Sequence, residues 1–359
     1  MDISLFPTSR ALTVVPGRRN SAKLEVLAGP TGNGVIVART LAIGICGTDF
    51  EILSGTYGWA PPDVERLVIG HESIARVVEA PASSGLTAGD LIVGIVRRPD
   101  PVPCPCCAAG EWDMCRNGQY TERGIKELDG FAAEWIRVEP AFAVKVDATL
   151  GFLGVLLEPA SVVAKAWDHV ERIGGRARCW NPRTVLVTGA GPIGLLAALL
   201  GKQRGLDVHV FDRAEDGVKP ALVRDLGGHY HSGNIRALRS LEPDIVIECT
   251  GAAPIVMDAL EHTARAGIVC LAGVSSGGHR LSLDMGVLNR QIVLENDVVF
   301  GSVNANRSHY EMAASALASA DRGWLNRIIT RRVALEQWRD AFERRPGDVK
   351  VVLEFEAET

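Results

Sequence analysis

Thr184-Val185-Leu186-Val187-Thr188-Gly189-Ala190-Gly191-Pro192-Ile193-Gly194 runs an apolar strand straight into G-x-G-x-x-G, and an apolar helical stretch follows at once. That order makes a dinucleotide-binding turn out of an otherwise weak glycine pattern. Gly189 permits the tight turn, Gly191 lets backbone approach a pyrophosphate, and Gly194 lets the helix pack close to the strand, with helix amides aimed at the phosphates. Pro192 suits the helix start because its missing N–H would lack a partner there anyway. The helix is expected to run to about Arg204, with Gly205 as its stop. The next apolar strand, 208–211, ends at Asp212, where a carboxylate accepts from both ribose hydroxyls of NAD and repels a 2′-phosphate. Arg213 follows directly and could bind that phosphate, so the reading is NAD, with NADP open.

Outward from this turn, residues 184–300 alternate short apolar runs with helical patterns, the runs falling at 185–188, 208–212, 245–249, 268–272 and 298–300. Continuous apolar strands separated by helices describe a doubly wound parallel sheet covered on both faces. Residues 1–150 differ: they are rich in Gly, Pro and short runs such as 67–69, 75–78 and 91–96, the pattern of a β-rich domain. A helical segment at 308–320 leads to two late strand candidates, 328–333 and 349–355, which are expected to rejoin the first domain and leave a cleft between the two. The expected division is 1–155 with 302–359, and 156–301.

The chain has 359 residues, which suits two cores better than one. It is 47% hydrophobic and 23% charged, and its net charge of −5 argues against nucleic acid or an anionic membrane as partner. No secretory signal is read at the start, and the most apolar stretch, 184–201, is the strand, turn and helix above, so the protein is expected to be cytoplasmic. Of eight cysteines, Cys104, Cys106, Cys107 and Cys115 cluster, and in a cytosolic chain such a cluster points to metal rather than disulfides. Cys249 and Cys270 end apolar runs and read as inert core thiols, and Cys179 carries no functional reading.

Cys46-Gly47-Thr48-Asp49, Gly70-His71-Glu72 and Glu158-Pro159 supply a thiolate, an imidazole and carboxylates from three separated segments. Such a set suits an open catalytic zinc with a place left for water or substrate; equally, His71 alone could be a satisfied core histidine. These motifs, the cysteine cluster and the glycine turn, in this order, resemble the zinc-dependent medium-chain dehydrogenase/reductase superfamily over nearly the whole chain. Val96-Arg97-Arg98-Pro99, Asp129-Gly130-Phe131-Ala132-Ala133-Glu134-Trp135, and Asn289-Arg290 leading to Gly301-Ser302-Val303-Asn304, resemble its glucose 1-dehydrogenase branch, known mainly from archaea.

The resemblance implies an α/β protein with a β-rich GroES-like catalytic domain and a doubly wound parallel Rossmann domain. It implies Cys46 and His71 as zinc ligands, Glu72 and Glu158 as carboxylates either of which can ligate, and Thr48 as the hydroxyl that binds the substrate oxygen and begins a proton relay. Asp49 would orient His71, or else be a turn residue. Zinc as Lewis acid then favours hydride transfer to the nicotinamide. Cofactor contacts are expected from Gly189, Gly191, Pro192, Ile193, Gly194, Asp212, Arg213, Thr250, Gly273 and Asn304; substrate contacts from Thr48, Glu122, Glu158 and Asn304. Glu122 could also be a solvated loop acid and Asn304 a turn residue.

The cysteine lobe departs from the family's C-x₂-C-x₂-C-x₇-C. Cys104, Cys107 and Cys115 keep the last two intervals, Pro101 occupies the first position, and Cys106 or Asp100 could complete a structural zinc site. The activity implied is oxidation of an aldose such as glucose at C1 to the lactone. Another polyol, sugar derivative or secondary alcohol is the alternative substrate, and a non-catalytic nucleotide-binding sensor or structural subunit is the alternative of another class. Family habit implies a homodimer or homotetramer.

Overall fold

The computed structural model describes residues 8–275, 277–278 and 281–355. The backbone divides into two units. One comprises the described residues up to Glu158, Ala305–Ala318, and the described residues from Ile329 onward; the other comprises Pro159–Asn304 and Ser319–Ile328. The sequence-based division puts all of 302–359 with the first unit, and the structure differs at Ser319–Ile328. There the helix Arg322–Ile328 is tied to the second unit: Trp324 Nε1 donates to the Leu222 carbonyl at 2.8 Å, and Arg327 pairs with Asp225.

The first unit is built on a seven-stranded sheet in the order Ala143–Lys145, Leu91–Gly94, Glu72–Glu79, Ile36–Ile45, Lys350–Glu354, Ile329–Ala334, with Trp135–Val138 also pairing with Ile36–Ile45. The two late strands thus enter the sheet of the first unit, through Val351–Leu353 against Ile43–Ile45. Ile36–Ile45 is central and buried along almost its whole length, so apolar residues occupy both of its faces, with only Arg39 exposed. Its neighbours leave no room for larger side chains. A Cβ on Gly94 would lie 2.2 Å from the Phe131 ring, and one on Gly130 would lie 2.3 Å from the Ile69 carbonyl oxygen. The 129–135 motif is therefore a packing device: Asp129 accepts from the Val68 amide, Phe131 is buried, and Glu134 pairs with Arg10.

The second unit holds a six-stranded parallel sheet in the order His229–His231, Asp207–Phe211, Thr184–Thr188, Ile245–Glu248, Ile268–Leu271, Val298–Gly301. Five of these strands match apolar runs in the sequence. The sixth, His229–His231, has no apolar run because it is a three-residue edge strand with one polar face. The helix after the glycine turn spans Pro192–Gln203, and Gly205 follows at φ +76°. The helical stretch Ala148–Gly174 is long and apolar enough to cross a membrane, but most of it is buried within the protein, as expected of a core helix.

Candidate active site

Three chain segments of the first unit converge. Cys46 follows the central strand and caps the helix Gly47–Leu53, His71 stands just before the strand Glu72–Glu79, and Glu158 lies in the first turn of Leu157–Gly174. Gly70 turns the chain into place at φ +86°, where an added Cβ would press on Ala132 and Ile43 at 3.0 Å. Cys46 Sγ lies 3.0 Å from His71 Nε2, and the ligand atoms of Cys46, His71 and Glu72 all lie within 4.8 Å of one another.

Asp49 supports this pair twice. Its Oδ2 accepts the Cys46 amide at 3.0 Å, and its Oδ1 faces His71 Nδ1 at 3.5 Å. Both Asp49 Oδ1 and His71 Nδ1 are otherwise buried without a hydrogen-bond partner. Asp49 is thus placed both as a turn residue and as the group that orients the imidazole, with Nε2 left facing the thiol. Thr48 is half-buried in the same helical turn.

The electrostatics suit a cation. Burial pushes the Cys46 thiol up, and it pushes the Asp49 carboxyl up as well. Burial opposes charge on His71, yet Cys46 and Asp49 hold its pKa well above the ordinary value. Burial also lifts Glu158 to about 7. A divalent ion would displace the proton held between thiol and imidazole and offset the crowded negative charge. A soft thiolate, an imidazole and nearby carboxylates are a zinc donor set, and these residues fit one.

Sequence reasoning missed Lys350. Its Nζ is buried beneath the site and donates to both Glu72 oxygens, at 2.7 and 2.6 Å, and to the Ile45 carbonyl at 3.2 Å. Burial works against its charge, but Glu72 raises its pKa above the usual value. The Glu72 carboxylate is therefore already held from behind. The pair depends on Gly44, opposite Glu72 in the sheet, since a Cβ there would lie 2.1 Å from Glu72 Oε2. A lone lysine on the last strand, 278 residues from its partner, leaves no local signal.

In the cysteine lobe, the sulfurs of Cys104, Cys107 and Cys115 lie within 4.8 Å of one another, while Cys106 stands beside Cys104 outside this trio. The amides of Arg116 and Cys107 donate to Cys104 Sγ and bring its pKa down to about 6, whereas burial lifts Cys107 to about 11. Asp100 is buried and its Oδ2 has no hydrogen-bond partner. Because the lobe offers three sulfurs remote in sequence from Cys46, Cys107→Ser and Cys115→Ser are expected to lower the thermal midpoint more than the rate per folded molecule. Thermal unfolding, zinc content and active-site-normalised rates check this, and unchanged zinc content with an unchanged midpoint would count against a structural ion.

Glu122 is not a solvated loop acid. It is 6% exposed, and its Oε1 accepts from Arg97 Nε at 3.0 Å and Nη2 at 2.9 Å, while the guanidinium lies 3.7 Å from the centre of the Tyr120 ring. Arg98 in turn pairs with Glu139 and donates to the Ile95 carbonyl. The 96–99 motif thus contributes two buried arginines that fix carboxylates.

In the second unit, Gly189 has φ +91° and a Cβ on Gly194 would lie 1.7 Å from the Gly189 oxygen, whereas one on Gly191 would meet nothing within 4 Å. Turn, close packing and open approach thus fall on the three glycines as the pattern requires. Asp212 Oδ2 accepts the Ala190 amide at 2.7 Å, its Oδ1 accepts from Ala214 at 3.0 Å, and Lys219 Nζ lies 3.3 Å away. The acid at the strand end therefore also clamps the glycine turn. At the end of Ile245–Glu248, buried Glu248 accepts from the Thr250 hydroxyl and amide and from the Gly251 amide. A Cβ on Gly273 would lie 2.7 Å from Glu248 Oε2. Glu248, absent from the sequence-based set, thus organises the loop carrying Thr250 and packs against Gly273. Asn304 adopts φ +62°, and Arg213 is exposed. Burial lifts Cys249 well above the usual thiol value and Cys270 to about 12, which fits inert thiols.

Comparison with known proteins agrees with this geometry. Residues 32–148 match the alcohol dehydrogenase GroES-like domain, and residues 151–355 match the glucose dehydrogenase C-terminus. Glucose 1-dehydrogenase 2 of Vulcanisaeta moutnovskia is 39% identical over 351 residues, covering 96% of this chain and 99% of its own. Glucose 1-dehydrogenase of Thermoproteus tenax is 39% identical over 352 residues with the same coverage. The Haloferax mediterranei glucose dehydrogenase, solved in complex with NADP, Zn and gluconolactone, is 26% identical with a TM-score of 0.87, covering 97% of this chain and 100% of that one. The chain belongs to the glucose dehydrogenase family of zinc-dependent, NAD(P)-linked medium-chain dehydrogenases.

Proposed function

We propose that this protein oxidises glucose at C1 to the lactone, passing hydride to NAD(P). The observation that carries the reading is the Cys46 and His71 donor pair, half-buried and buried, beside Glu72 and Glu158, in a chain whose glucose 1-dehydrogenase relatives match it over 96% of its length. Cys46 and His71 would hold the zinc, with Glu72 or Glu158 as the carboxylate ligand. When bound, the ion supplies Lewis acidity at the sugar hydroxyl and the nicotinamide supplies the hydride acceptor. Asp49 fixes the His71 ring, and Lys350 neutralises Glu72 so that the site does not carry every carboxylate charge at once. The Thr48 hydroxyl binds the reacting oxygen and carries its proton outward. In the ion-free protein burial lifts the Glu158 carboxyl to about 7, so it can hold a proton near neutrality until the ion binds.

Glu122 and Asn304 serve as sugar contacts in this reading, Glu122 being held rigidly by Arg97. A site built around substrate hydroxyls rejects analogues that lack them. Initial rates on aldoses, polyols and simple alcohols test the assignment, with glucose expected to lead. Removing Glu122 outright would strand Arg97, so Glu122→Gln is the cleaner variant: it should raise KM for glucose about tenfold while leaving the KM for cofactor unchanged. Simple primary alcohols turned over better than any aldose would defeat the sugar assignment.

Cofactor preference is proposed to favour NAD, on Asp212. Asp212→Ala removes the charge that repels a 2′-phosphate and leaves Arg213 and Lys219, so NADP use should improve relative to NAD. Affinity for NAD should fall about 10-fold to 100-fold, the range of a lost hydrogen bond to a charged group. Steady-state constants for both cofactors decide this, and a wild-type enzyme strongly preferring NADP would refute it.

Assembly through the nucleotide unit is supported by the edge strand Val298–Gly301 and by the exposed Met285, Val287, Val293 and Leu294 of the helix Met285–Glu295. The zinc donor sets proposed at Cys46 and at Cys104, Cys107 and Cys115 need reduced sulfurs, which supports a reducing, cytoplasmic setting.

A further inference from the structure

The edge strand that the sequence conceals places an unusual group on the surface of the nucleotide unit. Parallel pairing sets His209 beside His229 and Phe211 beside His231, so Asp207, His209, His229 and His231 share one face of two adjacent strands. The Asp207 carboxylate bridges two imidazoles: Oδ2 lies 3.2 Å from His209 Nε2, and Oδ1 lies 3.2 Å from His229 Nε2. The His209 and His229 rings are stacked with centroids 4.7 Å apart, and the three candidate ligand atoms all lie within 4.8 Å of one another.

We propose that Asp207, His209 and His229 form a surface site for a divalent transition-metal ion of the zinc type, which would clamp the edge strand His229–His231 to its neighbour. The two His–Asp separations, which are ion-pair contacts in themselves, also fit a coordination polyhedron. Two ligand atoms each about 2.1 Å from a tetrahedral zinc stand about 3.4 Å apart, close to the two 3.2 Å separations here. Two imidazoles and a carboxylate match the ion's donor preference and leave a position for water. His209 is also held in place: its Nδ1 lies 2.9 Å from His231 Nε2, a partner that fixes the ring with Nε2 turned to the site and can accept the Nδ1 proton when Nε2 binds an ion. His229 and Asp207 are half-exposed, so an ion has direct access from solvent. These residues belong to neither the Cys46 group nor the cysteine lobe.

The test uses zinc-loaded, desalted enzyme, to which further Zn²⁺ is added as chloride and followed by isothermal titration and thermal unfolding. Wild-type enzyme is expected to take up one additional ion per chain, with a rise in thermal midpoint. His229→Gln and Asp207→Asn, both at exposed positions where folding is not at stake, should abolish that uptake and the rise while leaving turnover unchanged. His231→Ala should weaken the additional ion about 10-fold to 100-fold without abolishing it, the behaviour of a residue that positions a ligand. Absence of uptake beyond the zinc already bound, or uptake in His229→Gln with wild-type affinity, would overturn the proposal.

Discussion

Cys46→Ser and His71→Ala are each expected to abolish turnover while leaving NADH binding nearly unchanged. Both side chains lie in the first unit, within a group whose ligand atoms fit inside 4.8 Å, whereas the glycine turn and Asp212 lie in the second. Loss of even an outer partner of a metal ligand costs about 10-fold to 100-fold, so loss of the ligand itself should exceed about 100-fold. Asp49→Asn, which keeps the shape but weakens the grip on His71, supplies the intermediate case. Zinc content, turnover and NADH fluorescence titration on the same preparations check the ranking. Full activity in a rigorously metal-free preparation would end the zinc mechanism.

Lys350→Met is expected to be among the most destabilising single substitutions in the first unit. The ammonium it removes is buried, within 2.7 Å of both Glu72 oxygens, and no other cation is placed to donate to that carboxylate among the hydrogen bonds of the described residues. In the zinc-free protein, breaking one side of a buried ion pair leaves an uncompensated charge and costs about 3–5 kcal/mol, more than the pair itself contributes. The double variant Glu72→Gln with Lys350→Met removes the stranded charge and should recover much of the loss. Because the chain has two units, the thermal midpoint is supplemented by a readout local to this corner. Hydrogen exchange of amides in Ile36–Ile45, the strand between the partners, reports the local effect. A double variant no better than Lys350→Met would show that packing rather than charge holds this corner.

Much of the architecture is written in local pattern. The run from Thr184 to Gly194 specifies strand, turn and helix, and the structure shows the steric demand at Gly189 and at Gly194, with open space beside Gly191. The late strands were legible as apolar runs expected to rejoin the first domain; their partners were not, and the structure pairs Lys350–Glu354 with Ile36–Ile45 and Ile329–Ala334 with Lys350–Glu354. His229–His231 was illegible because a short edge strand buries one side only and draws its stability from its neighbour.

The sequence by itself determined the two folding patterns, the glycine turn and the residue types able to hold a metal, because those depend on periodicity and on chemistry carried by single side chains. Only the tertiary structure decided which charges meet. Lys350 reaches Glu72 across the sheet, Arg97 fixes Glu122, Asp212 clamps the turn it follows, and Asp207 gathers two histidines from adjacent strands. Such pairings depend on strand order and register, which bring together residues separated along the chain, and no local spacing encodes them.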